Sequence, residues 1–369
     1  YWPKKILAAL GVQRVVSVLR SRFNPLRGFD PEKLVAAIES CHAGYIAPLA
    51  LIIEALEERD DTWRTAARKT KSAVSRCGHQ IMIRDGHEND PAAKRHKATL
   101  EAFWASITVT DAFRRDQLGG RSLLVRQMMD AYGPGYSVHE IVWQPHPDGS
   151  LSAEFIRVPL WMCENTTGRL RYLPDDTSIW GIDMPDGEWL VTVADGVGIA
   201  AAVACMSKRL CMEDWLLYSE RCGQPGLHAT TPAKQGSDEW NSLLTSIRNY
   251  GREWNLLSNP DVKLNPVQMS AAGTLPYPEF VARMDKAIAA LWRGADLSTL
   301  SAGANADGTG ASLQGGESDL LEQDACELIS ETLSRQVERH VIRYVHGDAE
   351  PLAGIQILPE ARPDLKQEM

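Results

Sequence analysis

The chain has 369 residues, 44% of them hydrophobic, and a formal net charge of −9 from 39 basic and 48 acidic side chains. That length exceeds what one core usually fills, so two or more domains or subdomains are expected. The acidic balance excludes a protein whose main work is wrapping nucleic acid through a net basic surface.

The seven cysteines, Cys41, Cys77, Cys163, Cys205, Cys211, Cys222 and Cys326, are scattered, odd in number and without a C-x-x-C pair. This is the usage of free thiols in a reducing compartment. Cys205 and Cys211 stand at the wrong helical spacing for a zinc site, so no metal is expected. No apolar run reaches the ~20 residues that cross a bilayer, and the start carries no secretory cleavage pattern; a soluble chain without membrane contact is expected.

Residues 1–29 hold Lys4, Lys5, Arg14, Arg20, Arg22 and Arg27 with no acid, interleaved with Ile6, Leu7, Val15, Val16, Val18 and Leu19. They predict a basic amphipathic helix, read as an arm packed on a neighbouring subunit with its charges in solvent. Asp30-Pro31-Glu32 caps the next helix, with Leu34, Val35, Ile38 and Cys41 on its apolar face, and Pro48 to Glu58 forms another. Asp60-Asp61 opens a third that ends near Cys77-Gly78; its run Arg64, Arg68, Lys69, Lys71 and Arg76 reads as a solvated face. His79, His87 and His96 with Asp85, Glu88 and Asp90 have no metal-ligand spacing, so a polar loop ahead of a helix over Ala92 to Ile107 is expected.

From Tyr136 to Val193 the composition becomes that of a β-meander, with strands expected at Tyr136–Trp143, Ala153–Val158, Gly168–Leu173 and Glu188–Val193. The acids Asp175, Asp176, Asp183 and Asp186 stand beside turn residues and are assigned to turns rather than to a catalytic cluster. A long helix follows from Val197 to Glu220, carrying Val203, Met206, Leu210, Trp215 and Leu217. Gly223-Gln224-Pro225-Gly226 breaks it, and a small β-α-β insert comes next: an extended run at Leu227–Thr231, a helix with Trp240, Leu243, Leu244, Ile247 and Tyr250, and a strand at Val262–Val267. A second helix returns from Tyr277 to Trp292, with Phe280, Met284, Ile288 and Leu291 on one face, and stops at Gly294.

Leu297 to Gly316 is rich in Gly, Ser, Thr and Asn. Gly308-Thr309-Gly310 has no following Lys-Ser or Lys-Thr, so a mobile loop is favoured over a phosphate cradle. Glu317 to Val345 reads as one long helix, acidic in its first half and carrying Arg335, Arg339 and Arg343 in its second. Ile355–Leu358 is a last short strand.

Two stretches carry a family resemblance: Trp215-Leu216-Leu217-Tyr218-Ser219-Glu220-Arg221-Cys222-Gly223-Gln224-Pro225, and Ala295-Asp296-Leu297-Ser298-Thr299-Leu300-Ser301 followed by Gly308-Thr309-Gly310. Together with the order of parts, they resemble the Mu-type portal proteins of tailed phages. The resemblance implies an α+β portal-type fold: a basic arm (1–29), a wing of helices and a β-rich block (30–196), a first stem helix (197–222), a clip (223–276) and a second stem helix (277–294). A tunnel loop (295–316), a long helix (317–346) and a C-terminal strand segment (347–369) complete it, with the crown short or absent. It further implies a ring of twelve subunits at one capsid vertex of the virion, assembled in the host cytoplasm, that passes double-stranded DNA without sequence preference during packaging and ejection. The terminase large subunit, neck proteins and the major capsid protein are the implied partners.

No catalytic residues and no cofactor are expected. The resemblance places Ser298, Thr299, Ser301, Asn305, Asp307, Thr309, Ser312 and Gln314 in the DNA-channel loop, and Arg248 and Arg252 on the partner-docking face of the clip. A helical head-assembly or adaptor protein without a channel is the competing reading, and the order of parts weighs against it.

Overall fold

The computed structural model describes residues 25–174, 178–222, 226–253, 263–267, 275–294, 309–347 and 350–359. It is an α+β chain that divides into two compact units, Tyr1–Met206 with Asp285–Met369, and Ser207–Met284.

The first unit opens with three short helices, α1 (Pro31–His42), α2 (Ala47–Arg59) and α3 (Asp61–Arg76). Their starts are fixed chemically: the Asp30 carboxylate accepts from the Lys33 amide and the Asp60 carboxylate from the Trp63 amide, each satisfying an end donor that the helix leaves unpaired. The apolar face of α1 is Leu34 and Ala37, whereas Val35 is 53% exposed, a departure from the expected stripe. Strand β1 (Gly78–Ile83) and helix α4 (Pro91–Ser106) follow, α4 capped by Asp90 at the Ala92 amide.

Then come β2 (Thr108–Asp111), α5 (Arg121–Met128), β3 (Tyr136–Pro145), β4 (Leu151–Val158), β5 (Cys163–Glu164), β6 (Arg171–Tyr172), β7 (Ile182–Asp183) and β8 (Trp189–Val193). The meander is only part of the outcome. One sheet has the order β2-β4-β3-β8, and β2 joins it parallel to β4 from well outside the expected β block. The expected strand over Gly168–Leu173 shrinks to Arg171–Tyr172 within a separate three-stranded sheet, β5-β6-β7. Asp175 and Asp176 lie outside the described residues.

The last part of this unit is helical: α9 (Thr309–Leu333), a π-turn (Ser334–Glu338) and α10 (Arg339–His346), closed by β11 (Ala353–Leu358). Strand β11 pairs antiparallel with β1, far away in sequence. The main core joins all these pieces: Leu100, Phe103 and Trp104 of α4, Phe155 of β4, and Ile329, Leu333, Val337 and Val341 of the long helical run are all buried together. Burying such side chains contributes ~1.5–3 kcal/mol each and fixes the helices on the sheets.

Helix α6 (Gly198–Cys222) leaves the first unit and α8 (Tyr277–Arg293) returns to it. The second unit holds the inner parts of these two helices with β9 (Gly226–Thr230), α7 (Asp238–Glu253) and β10 (Lys263–Val267), where β9 and β10 pair antiparallel. The expected β-α-β insert is thus present as a two-stranded ribbon with one helix.

Candidate functional site

Both long helices of the hairpin are rooted on the first unit. At the start of α6, the Gly198 amide donates to the Gly133 carbonyl over 2.8 Å, and a Cβ added at Gly198 would stand 2.6 Å from that oxygen; only glycine lets the two backbones meet. Further along, Ala201, Ala202, Cys205 and Met206 are buried. At the other root Ile288, Ala289 and Trp292 of α8 are buried, and helix α3 grips this end at two places. The Thr62 hydroxyl donates to Asp285 Oδ1 over 2.8 Å, and the Thr70 hydroxyl donates to the Trp292 carbonyl over 3.0 Å.

Near Trp292 runs a chain of buried and half-buried charges. Lys71 Nζ stands 2.5 Å from Glu57, 2.9 Å from Asp130 and 5.5 Å from the centre of the Trp292 ring. Arg157 continues the chain, with Nε 2.8 Å from Asp130 and Nη1 3.1 Å from Asp111. Lys71 is therefore not part of a solvated face as the sequence suggested: it is 8% exposed, because its acid partners make burial of the ammonium tolerable. Burial pushes the Lys71 ammonium down, yet Asp130 and Glu57 outweigh it and hold the group above its ordinary value. Desolvation likewise raises Asp130, but Lys71 and Arg157 win and hold its carboxyl low. His139, fully buried beside this chain, is pushed down to about 3 by burial and by Arg157, so it is neutral.

In the second unit the two helices of the hairpin are tied by an aromatic cluster. The Tyr277 ring stacks on Trp215 at 6.3 Å and leans against Tyr218 at 6.1 Å, while Cys211 Sγ approaches the Tyr277 carbonyl. The exposed surface mixes apolar residues with the charged Glu213, Asp214, Glu220, Glu279 and Arg283. Leu210, Met212, Leu216 and Leu217 on α6 and Phe280 on α8 are all exposed, with Leu216 at 65%. The sequence placed Phe280 on the apolar face of its helix, yet it is exposed, as is Val203 of the first unit. Arg248 and Arg252 stand one turn apart on α7.

The segment joining α8 to α9 is anchored at its base. Gly294 adopts φ 69°, ending α8, and the Ser318 hydroxyl of α9 donates to the Arg293 carbonyl over 3.0 Å. Helix α9 begins at Thr309, not at Glu317 as expected, so Thr309, Ser312 and Gln314 belong to its first turns. Its Gly310, Gly315 and Gly316 made the sequence read as loop, since glycine weakens a helix by ~1 kcal/mol per residue. Ser298, Thr299, Ser301, Asn305 and Asp307 lie outside the described residues.

The expected single helix is also interrupted, by the π-turn, and three neighbours define that turn. The Gln336 amide exchanges two 2.8 Å hydrogen bonds with the backbone of Val191 in β8, as a neighbouring strand would. Glu338 Oε1 accepts from Trp104 Nε1 over 2.8 Å and from the Ile355 amide over 2.9 Å. Glu338 is fully buried, and desolvation raises its carboxyl to about 7 against the opposing pull of those two donors. The sequence held a faint signal for it, an acid among Arg335, Arg339 and Arg343 and one residue past the buried Val337. Asp186, read as a turn residue, forms an ion pair with Arg339 and lies 3.5 Å from His340.

Among the described residues, Asp60, Asp61 and Asp285 bring one carboxylate oxygen each within 4.8 Å of the others. All three are engaged: Asp60 caps α3, Asp61 accepts from the Thr62 amide and Asp285 from the Thr62 hydroxyl. The expected polar loop before α4 is there, but His96 is buried behind it, accepting the Leu352 amide on Nδ1. None of the described helices is long and apolar enough to cross a membrane.

A sequence model of the family described as the portal protein of Mu bacteriophage matches residues 50–369. Among solved structures, a chain in the neck of a native gene transfer agent particle computed with C12 symmetry is 13% identical at a TM-score of 0.51, covering 92% of this chain and 88% of that one. Another, in the neck of an empty particle computed with C6 symmetry, is 12% identical at 0.51, covering 90% and 86%. An HK97 family phage portal protein from Corynebacterium diphtheriae is 12% identical at 0.49, covering 84% and 97%. No curated protein matches the sequence at a significant level.

Proposed function

The chain belongs to the family of Mu-bacteriophage portal proteins, and from that premise we propose that twelve copies close into a ring whose central channel carries DNA into and out of a capsid. The observation that carries this reading is the pair of long helices α6 and α8, with α8 held by α3 through Asp285 and Trp292 and with Leu216, Leu217 and Phe280 exposed. A repeated head-to-tail contact with a fixed rotation closes into a cyclic oligomer, and exposed leucines on long helices suit such a contact.

In this arrangement residues 295–308 and the first turns of α9 face the DNA. Ser298, Thr299, Ser301, Asn305, Thr309, Ser312 and Gln314 offer neutral contacts, and Asp296 and Asp307 are the charges between Ala295 and Gly316. Arginines there would add salt-dependent affinity at each phosphate and retard sliding. The ribbon and α7, with Arg248 and Arg252, form the tip that meets the terminase large subunit and later the neck proteins, and the first unit contacts the major capsid protein. The place of action is the portal vertex of the virion, after assembly in the host cytoplasm. The role is structural, without catalysis.

Electron microscopy of the purified chain tests the reading: closed rings with a central channel are the expected result, and a chain that stays monomeric at high concentration overturns it. Replacing residues 299–307 by two glycines should leave rings intact and abolish retention of a full genome. The double substitution Arg248→Glu, Arg252→Glu should leave rings intact and prevent packaging; normal packaging removes the docking assignment.

A further inference from the structure

The π-turn places a buried acid at the one point where the long helical run, the core helix α4 and strand β11 meet. Glu338 Oε1 takes both donors, Trp104 from α4 and Ile355 from β11. Its Oε2 faces Gly354, where an added Cβ would stand 3.1 Å away, with the Ser334 hydroxyl beside the same position. Arg84, just past β1, is a charged group that acts on it, while its hydrogen-bond partners, Trp104 of α4, Ser334 of the π-turn and Ile355 of β11, are neutral. A π-turn is an α-helix with one residue inserted, so it has a neighbouring arrangement in which the following turn slips by one position and the side chain at Glu338 rotates off its partners.

We propose that Glu338 is a proton-operated positioning residue: neutral, it latches the long helix to α4 and β11 through the π-turn; ionised, it favours release of that turn. A fully buried carboxylate is costly in a dry core, whereas the acid form is not, and Oε2 is the oxygen left to carry the proton. Released, Glu338 would titrate like an ordinary glutamate. The latch is therefore strongest in mild acid and weakens as pH rises from about 4.5 to about 7, where it levels off. Because α9 begins where residues 295–308 end, a slip in the π-turn passes along α9 to that segment. This last coupling rests on the portal reading; the latch itself does not.

The test is amide hydrogen exchange of residues 334–346 in the full chain, corrected for intrinsic rates, between about pH 5 and 9. Wild-type protection should fall roughly a hundredfold between about pH 5 and 7.5 and then level, and Glu338→Gln, which keeps the acceptor oxygen but cannot ionise, should stay flat. The same fall in Glu338→Gln as in wild type overturns the proposal. Should that variant not fold, Trp104→Phe decides instead. Loss of the indole donor must move the wild-type levelling point to higher pH, and an unmoved point rejects the latch. Ring formation is read separately by microscopy, so failure of the latch and failure of the portal reading give different results.

Discussion

The two units differ in where they put their ionisable and apolar side chains. The first buries the ionisable Lys71, Asp111, His139, Glu164 and Glu338, each with a hydrogen-bond or ion-pair partner, Arg171 in the case of Glu164. Both units expose hydrocarbon, the first at Leu118, Trp180 and Leu320 among others, and in the second the exposed set runs along one helix: Leu210, Met212, Leu216 and Leu217 of α6, with Leu244 on α7 and Phe280 on α8. The contrast runs along one helix, since α6 is buried at Ala201, Ala202, Cys205 and Met206 and largely exposed from Met212 to Glu220. In the proposed ring, the exposed residues of the second unit meet neighbouring copies of the chain.

The strongest way to break this comparison is through the first unit's charges. Lys71→Met leaves Glu57 without its ammonium partner and Asp130 with Arg157 alone, and should cost about 2–3 kcal/mol in denaturant unfolding; a loss under about 1 kcal/mol would show the chain of charges to be decorative. Glu338→Gln acts in the other direction. The Glu338 carboxyl is raised to about 7 in the folded chain, so its contribution is fully present below the unfolded value near 4.5 and is lost as pH rises through 7. At pH 8 the glutamine variant should thus be more stable than wild type by about 2–3 kcal/mol, and at pH 4 nearly equal to it. Equal stability at both pH values would place the proton elsewhere.

Smaller effects sharpen the contrast. Ser318→Ala removes the bond to the Arg293 carbonyl and should cost about 1 kcal/mol, measured as a shift in thermal midpoint. Least of all should be the effect on the isolated chain of Leu210→Ser with Leu217→Ser, within about 0.5 kcal/mol of wild type because both are exposed. The same double variant should lose ring assembly altogether by light scattering, and a variant that assembles normally would refute the idea that the second unit's apolar surface is an interface.

Much of this was legible in the sequence because it depends on local chemistry. Asp30, Asp60 and Asp90 mark helix starts within their own four-residue neighbourhoods, and the breaker clusters around Gly226 and Gly294 bound the hairpin. What escaped depends on partners remote in the chain. The basic run of α3 is helical whichever way it faces, and the inward position of Lys71 is decided by Asp130, far downstream. Strand β2 has no period long enough to read, and exists because β4 offers it an edge. The π-turn was invisible for the same reason: Gln336 and Glu338 deform the helix only because Val191, Trp104 and Ile355 wait there. The proposed channel residues depended on family resemblance, since glycine, serine and threonine carry no pattern of their own.

The pairing of β1 with β11 has a consequence for biosynthesis. Ile83 meets Ala353, so 269 residues, from 84 to 352, must be made between the two strands. At a synthesis rate of ~5–20 residues per second, β1 leaves the ribosome roughly 15–50 seconds before its partner does. Throughout that interval its backbone edge, including the side chain of Ile81, has nothing to pair with but other nascent chains or a chaperone. The last described strand of the first unit thus pairs by a contact of very high sequence separation, a kind of contact that slows folding.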